Sequence, residues 1–206
     1  MIIAIDGPAA AGKGTLAKRL AAALGLPYLD TGILYRATAK RVLEAGSDPA
    51  DVSAALRAVQ GLGEADLRRG DLRDAATSKA ASQVASIAEV RQALLHFQRH
   101  FGGRNGAVLD GRDIGTIIFP HADVKLFVTA SVEARAARRH KEFQDRGESV
   151  TLDDVIADVQ ARDEADRTRA AAPLMMAMDA TLIDTTEMDA DEAFAQALRL
   201  VQAKTR

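Results

Sequence analysis

The run Gly7-Pro8-Ala9-Ala10-Ala11-Gly12-Lys13-Gly14-Thr15 carries the first chemical signal in the chain. Two glycines bracket four residues ahead of a lysine. That spacing lets successive backbone N–H groups turn inward onto a phosphate chain, while Lys13 reaches the terminal phosphates. Gly14 stands where the usual pattern has Ser or Thr, and Thr15 follows one place later with a hydroxyl suited to a site near Mg²⁺. Such a loop needs a strand before it and a helix after it. Ile2 to Ile5 is an unbroken apolar run, as a parallel strand buried on both faces requires, and residues 13–24 carry apolar positions at helical spacing.

Other charged groups fall at the ends of further short apolar runs. Tyr28-Leu29 leads into Asp30-Thr31-Gly32, with Arg36 early in a helix that reads from Ile33 to Ala45 and closes at Gly46. Ala107-Val108-Leu109 leads into Asp110-Gly111-Arg112-Asp113, and Val124–Val128 forms a fourth strand after Pro120. Polar turns at the carboxyl ends of strands are where open α/β sheets bind ligands. Leu182-Ile183 is a fifth strand, and residues 189–203 form a closing amphipathic helix. The expected fold is α/β: a five-stranded parallel sheet of the P-loop type flanked by helices, in a single domain. Its core comprises residues 1–45, 76–134 and 166–206, interrupted by a helical insertion at about 46–75 and a lid at about 135–165.

Residues 77–101 are helical by period, yet one straight helix would separate Ser82 from Arg91. Nine residues amount to roughly two and a half turns, which puts the two on opposite faces. Ser86-Ile87-Ala88-Glu89 reads as a capping box that starts a second helix. Ser131 and Thr151 read as caps of a helical hairpin, its second helix running to about Ala171-Ala172-Pro173. Arg135, Arg138 and Arg139 lie on neighbouring turns of its first helix, with the inward-facing members undetermined. Arg162, Asp166 and Arg169 are spaced to share one helical face, and Asp163 with Arg167 forms another such pair.

Composition narrows the partners. At 206 residues with a formal charge of −2, the chain has no bulk attraction for nucleic acid or an anionic membrane. The absence of cysteine excludes disulfides and thiolate metal sites and suits a reducing compartment. Asp6 ends the N-terminal apolar run too early for a signal or membrane span, so a cytoplasmic location is expected; a monomer is expected as well. The phosphate loop alone fits a switch GTPase, a motor ATPase or a small-molecule kinase. No Asn-Lys-x-Asp segment follows a strand, and arginines crowd the strand ends instead, a pattern suited to two phosphate chains meeting.

Five segments, GPAAAGKGT (7–15), YLDTGILYR (28–36), ASQVASIAEVR (81–91), DGRDIGTIIFP (110–120) and RDEADRTRAAAPL (162–174), give the chain a resemblance to bacterial cytidylate kinases, the (d)CMP kinase family of P-loop nucleoside monophosphate kinases. The resemblance implies transfer of the γ-phosphoryl group of ATP to CMP or dCMP, with Mg²⁺ accompanying ATP. Residues 7–15, Arg135 and Arg139 would hold ATP, and Thr15 and Asp110 the metal, Asp110 through water. Thr31, Gly32, Arg36 and Arg112 would hold the CMP phosphate, Ser82, Arg91 and Asp113 the base, and Arg162, Asp166 and Arg169 the ribose and phosphates. Lys13, Arg112 and Arg162 would be catalytic. Asp113 can accept from the exocyclic amine of cytosine and would repel the uracil carbonyl. Residues 46–75 are shorter and richer in alanine than the insertion of many cytidylate kinases. The alternatives are a kinase for UMP or another small acceptor on the same fold, or an ATP-gated binding module without phosphoryl transfer.

Overall fold

The apolar runs become five strands of one parallel sheet in the computed structural model, which describes residues 1–204. β1 (Ile2–Asp6), β2 (Tyr28–Asp30), β3 (Ala107–Gly111), β4 (Val124–Thr129) and β5 (Thr181–Asp184) stand in the order β2-β3-β1-β4-β5. All four ladders are parallel, and Ile5 of β1 pairs with Asp110 on one side and Leu126 on the other. Ile3, Ala4 and Ile5 expose no surface, as two-faced burial requires. One side of β1 is filled by β2 and β3, the other by β4 and β5. Connections therefore diverge at its carboxyl end, the place where such sheets take ligands.

The helices, in chain order, are α1 (Lys13–Leu24), α2 (Thr31–Glu44), α3 (Val52–Gln60), α4 (Glu64–Leu67), α5 (Ala75–Ser86), α6 (Ala88–Gly103), α7 (Val132–Asp145), α8 (Leu152–Thr168) and α9 (Ala190–Lys204). On one face of the sheet, Leu16 and Leu20 of α1 and Ala197 and Val201 of α9 pack on Ile3, Ile5 and Val128. On the other, Ala4, Leu29 and Leu109 meet Ile114 and Ile118, with Leu95 and Phe101 of α6 against them. Helices α2, α3, α5 and α6 share a second apolar cluster around Leu34, Ala55, Val84 and Val90. The α7–α8 hairpin has a small core of its own, Ala136, Phe143, Val155 and Val159.

Three expectations need correction. The break between α5 and α6 falls at Ile87, as the Ser82–Arg91 argument requires, but no capping box forms. Ser86 ends α5 and donates its hydroxyl to the Gln83 carbonyl, and Ile87 takes the N-cap position with no side-chain bond. α8 stops at Thr168, ahead of the expected Ala171, because the chain folds back so that the Leu174 amide donates to the Asp166 carbonyl. Arg169 is consequently the C-cap and not a member of the helical face. Arg167 pairs with Glu164, leaving Asp163 to a different arginine. A π-helical turn, Ile114–Ile118, went unforeseen.

Gly7 joins β1 to the phosphate loop in a backbone conformation with φ +143°, and a Cβ there would lie 1.9 Å from the Val128 carbonyl oxygen of β4. Gly7→Ala is therefore expected to destabilise the protein by at least ~2–3 kcal/mol, since neither the sheet nor the loop can retreat without losing packing. Urea unfolding should show a lower midpoint with an unchanged slope. An unshifted midpoint would mean that β4 yields at this point.

Candidate active site

The strand ends open into one cleft of about 320 Å³. Its first half is the turn between β1 and α1. Ala10 and Gly12 adopt positive φ, of 59° and 83°, which rolls the backbone into a cradle at the amino end of α1. Lys13 is buried, and its ammonium donates to the Pro8 carbonyl at 2.6 Å. Burial, followed by the charge of Arg112, pulls its pKa down to about 7. A polyphosphate anion beside it acts in the opposite direction, favouring the charged form. Asp110, at the end of β3, accepts from the Tyr28 hydroxyl at 2.7 Å. Burial, reinforced by the nearby negative charge of Asp30, raises its carboxyl to about 6.

The opposite half is built from arginines. Thr31 opens α2 and donates its hydroxyl to the Asp110 carbonyl at 2.8 Å, joining the ends of β2 and β3. Arg36 is one turn further along α2. Arg112 donates through Nε to Asp166 of α8 at 2.7 Å, and Arg169 stands 3.7 Å from the other oxygen of the same carboxylate. Although Asp110 and Asp113 flank Arg112 in sequence, its ion pair goes to Asp166. One aspartate thus aligns two arginines, and the remaining cations face one another. Burial, then the charges of Arg112 and Arg36, pulls Arg162 down to about 9, and burial likewise lowers Arg36. Arg36 Nε, Arg162 Nε and Arg169 Nη2 are buried donors without a protein acceptor. Buried donors of this kind are costly unless an anion meets them.

At the far end of the cleft Asp113 and Arg91 form an ion pair in which both side chains are largely buried. Arg91 also donates to the Ala85 carbonyl at 3.1 Å and lies over the Tyr35 ring, 5.5 Å from its centroid. Ser82, Ala81 and Ala85 of α5 line the same space, so the bend at Ile87 brings Ser82 and Arg91 to one cavity.

Of the residues expected at the site, Ala9 to Thr15, Thr31, Gly32, Arg36, Ser82, Arg91, Asp110, Arg112, Asp113, Arg139, Arg162, Asp166 and Arg169 all line this cleft. Gly7 and Pro8 lie beneath its surface. Arg135 is buried away from it: its guanidinium is held by both oxygens of Asp163, at 2.9 and 2.6 Å, and by the Ala130 carbonyl, with Nη1 also 3.4 Å from the Ala9 carbonyl. Arg138 turns to Thr185, donating to its carbonyl and hydroxyl. Among the three arginines of α7, Arg139 is the one that faces the cleft. Sequence reasoning missed Tyr28, which holds Asp110, and Arg73, which reaches in from the insertion and pairs with Asp30 at 2.9 Å. The tyrosine at a strand end was a visible signal. An arginine in an irregular stretch gave none.

A central phosphate loop facing an arginine-lined half-cleft across a parallel sheet defines a P-loop kinase. Two solved structures share the fold. A protein of Eubacterium ventriosum aligns over 98% of this chain and 99% of its own with a TM-score of 0.59 at 14% identity. One from Thermus thermophilus aligns over 100% and 98% with a TM-score of 0.51 at 21% identity. The cytidylate kinase family model matches residues 3–203, and the chain belongs to that family. It is 63% identical to a cytidylate kinase of Acidiphilium cryptum over 98% of this chain and 95% of the relative. It is 58% identical to one of Paramagnetospirillum magneticum, over 98% of each.

Proposed function

We propose that the chain transfers the γ-phosphoryl group of ATP to CMP or dCMP, giving ADP and CDP or dCDP. The observation that carries this reading is the single cleft in which the Asp113–Arg91 pair and the unpaired guanidinium donors of Arg36 and Arg162 face Lys13 and its loop. Membership of the cytidylate kinase family supports the same acceptor. The acceptor is a phosphate monoester, mostly dianionic near neutral pH and already a competent nucleophile, so no general base is required. The protein's task is to align two anions and neutralise their repulsion. Arg36, Arg112 and Arg162 bind the acceptor phosphate, and Lys13 with the loop amides binds the donor chain. Arg139 closes over the donor from the lid hairpin at about 135–165, and exclusion of water keeps the phosphoryl group from hydrolysis.

Mg²⁺ bound with ATP fits this arrangement. The ion takes most of its ligands from phosphates and water and needs only one or two protein oxygens. The exposed Thr15 hydroxyl and the Asp110 carboxylate, held at the cleft wall by Tyr28, are the residues that would hold it, Asp110 through water. When bound, the ion supplies charge neutralisation at the donor phosphates. No helix among the described residues is long and apolar enough to cross a membrane. A reducing, cytoplasmic setting suits a chain with no cysteine.

The test is a panel of nucleoside monophosphates in a coupled ADP-release assay. CMP and dCMP should be turned over at far lower concentrations than UMP. Equal use of UMP would reject the role given to Asp113, and ATP binding without phosphoryl transfer to any acceptor would favour the binding-module reading.

A further inference from the structure

Asp6 closes β1 immediately before the phosphate loop, yet its carboxylate is not turned to the loop. It is 5% exposed, and its two oxygens accept from the backbone amides of Ile114 at 2.8 Å and Gly115 at 2.7 Å. Those amides belong to the two residues directly after Asp113. From the other side, the Asp113 carbonyl accepts from the Ile117 and Ile118 amides of the π-helical turn, at 2.9 and 3.1 Å. Asp113 itself sits at φ −145° and ψ 25°, outside helix and strand values. A buried carboxylate binding two consecutive amides is a rigid, charge-assisted clamp. Here it fastens the peptide after Asp113 to the central strand. The fit is close: a Cβ at Gly115 would lie 3.4 Å from an Asp6 oxygen and 3.1 Å from the Lys125 side chain.

We propose that Asp6 is a positioning residue for acceptor selection, fixing the base-reading carboxylate of Asp113 at a set distance from the phosphate loop. The assignment rests on the proposed reading of CMP by Asp113. Arg91 steers the Asp113 side chain, and Asp6 holds its backbone. Charge alone predicts the opposite outcome from geometry. Neutralising Asp6, a negative neighbour of Asp113, removes no group that touches the base, so on charge alone discrimination against the uracil carbonyl is preserved. A loss of selectivity on neutralising Asp6 therefore reports a displaced carboxylate.

The experiment compares the parent and Asp6→Asn at pH 8, above the value of about 6 to which burial raises Asp6. It measures kcat/KM for CMP and for UMP at saturating ATP, and the affinity for a fluorescent ATP analogue. The variant's amide has one oxygen for the two backbone donors and turns its own NH₂, a donor, toward the other. The CMP to UMP ratio should fall about tenfold or more, the scale expected of a small misplacement at a reacting site, while affinity for the analogue changes less than about threefold. Should Asp6→Asn not fold, Asp6→Glu keeps the charge but shifts the clamp by one methylene, and is expected to lower the same ratio. Equal losses on CMP and UMP, an unchanged ratio, or two variants that both fail to fold would overturn the proposal. A parent with no CMP preference would remove the reading of Asp113 first and this one with it, whereas a selective parent with an unaltered variant ratio defeats only the role of Asp6.

Discussion

Arg162→Met should make the ligand-free protein more stable and the enzyme far worse. A rise in Tm of about 2–4 °C, which corresponds to roughly 1 kcal/mol for a chain of this size, is expected. A fall in kcat/KM for CMP of about 10²–10³-fold should accompany it, as for other residues that neutralise charge in the transition state. The first effect follows from the burial of Arg162 and then its crowding with Arg112 and Arg36, which together hold its pKa at about 9, well below the ordinary arginine range. For a base lowered in this way, folding carries the full penalty below about pH 9, where the group is charged in both states. The penalty shrinks only as pH rises from there toward the ordinary arginine range, when the folded protein releases the proton first. At neutral pH methionine keeps much of the side-chain volume and removes the repulsion. The second effect follows because those cations are what the acceptor phosphate needs. Differential scanning with and without CMP, together with steady-state kinetics, checks both. A variant less stable than the parent would show that Arg162 is held mainly by its favourable neighbour Asp166.

Asp113→Asn should erase most of the CMP over UMP preference, by about 10- to 100-fold, the discrimination expected of one well-placed base contact. An amide can turn either its oxygen or its nitrogen to the base, so it accepts from the cytosine amine or donates to the uracil carbonyl. Arg91 loses its charged partner but retains its bond to the Ala85 carbonyl and its place over Tyr35, which limits collapse of the pocket. Affinity for an ATP analogue, bound at the other end of the cleft, should stay near that of the parent. Unaltered selectivity would assign base reading to another residue.

Much of this was legible in the residues themselves because the signals were local. An apolar run, a glycine spacing and a lysine specify the β1–α1 turn, and the same logic found the polar ends of β2 and β3. The need to bring Ser82 and Arg91 together located the bend at Ile87, although Ser86 does not cap α6, since its hydroxyl bonds backward into its own helix. What could not be read was pairing across long sequence separations. Asp166 was expected beside Arg162 and Arg169 on a helical face, and its shortest ion pair is instead with Arg112 from the end of β3. Arg135 was expected over ATP and is held by Asp163. Spacing along a helix says which residues share a side, and only packing decides which side meets what. Asp6 shows the same limit: in sequence it is simply the end of a strand, and its two amide partners lie more than a hundred residues away.

The Arg135 clasp has a mechanical consequence. Its guanidinium fastens the first turn of α7 to α8 and lies against the Ala9 carbonyl of the phosphate loop. Arg135 is nearly wholly buried and Asp163 20% exposed, so losing either partner strands the other's charge, and the pair ties the root of the hairpin down. Further out along the hairpin, Arg139 and Arg146 flank the Phe143 ring. Arg146 there already touches the Arg73 carbonyl of the insertion at 3.2 Å. The α7–α8 hairpin and the 46–75 insertion thus meet at Arg146 and Arg73, while the root of the hairpin is fastened separately beside the phosphate loop.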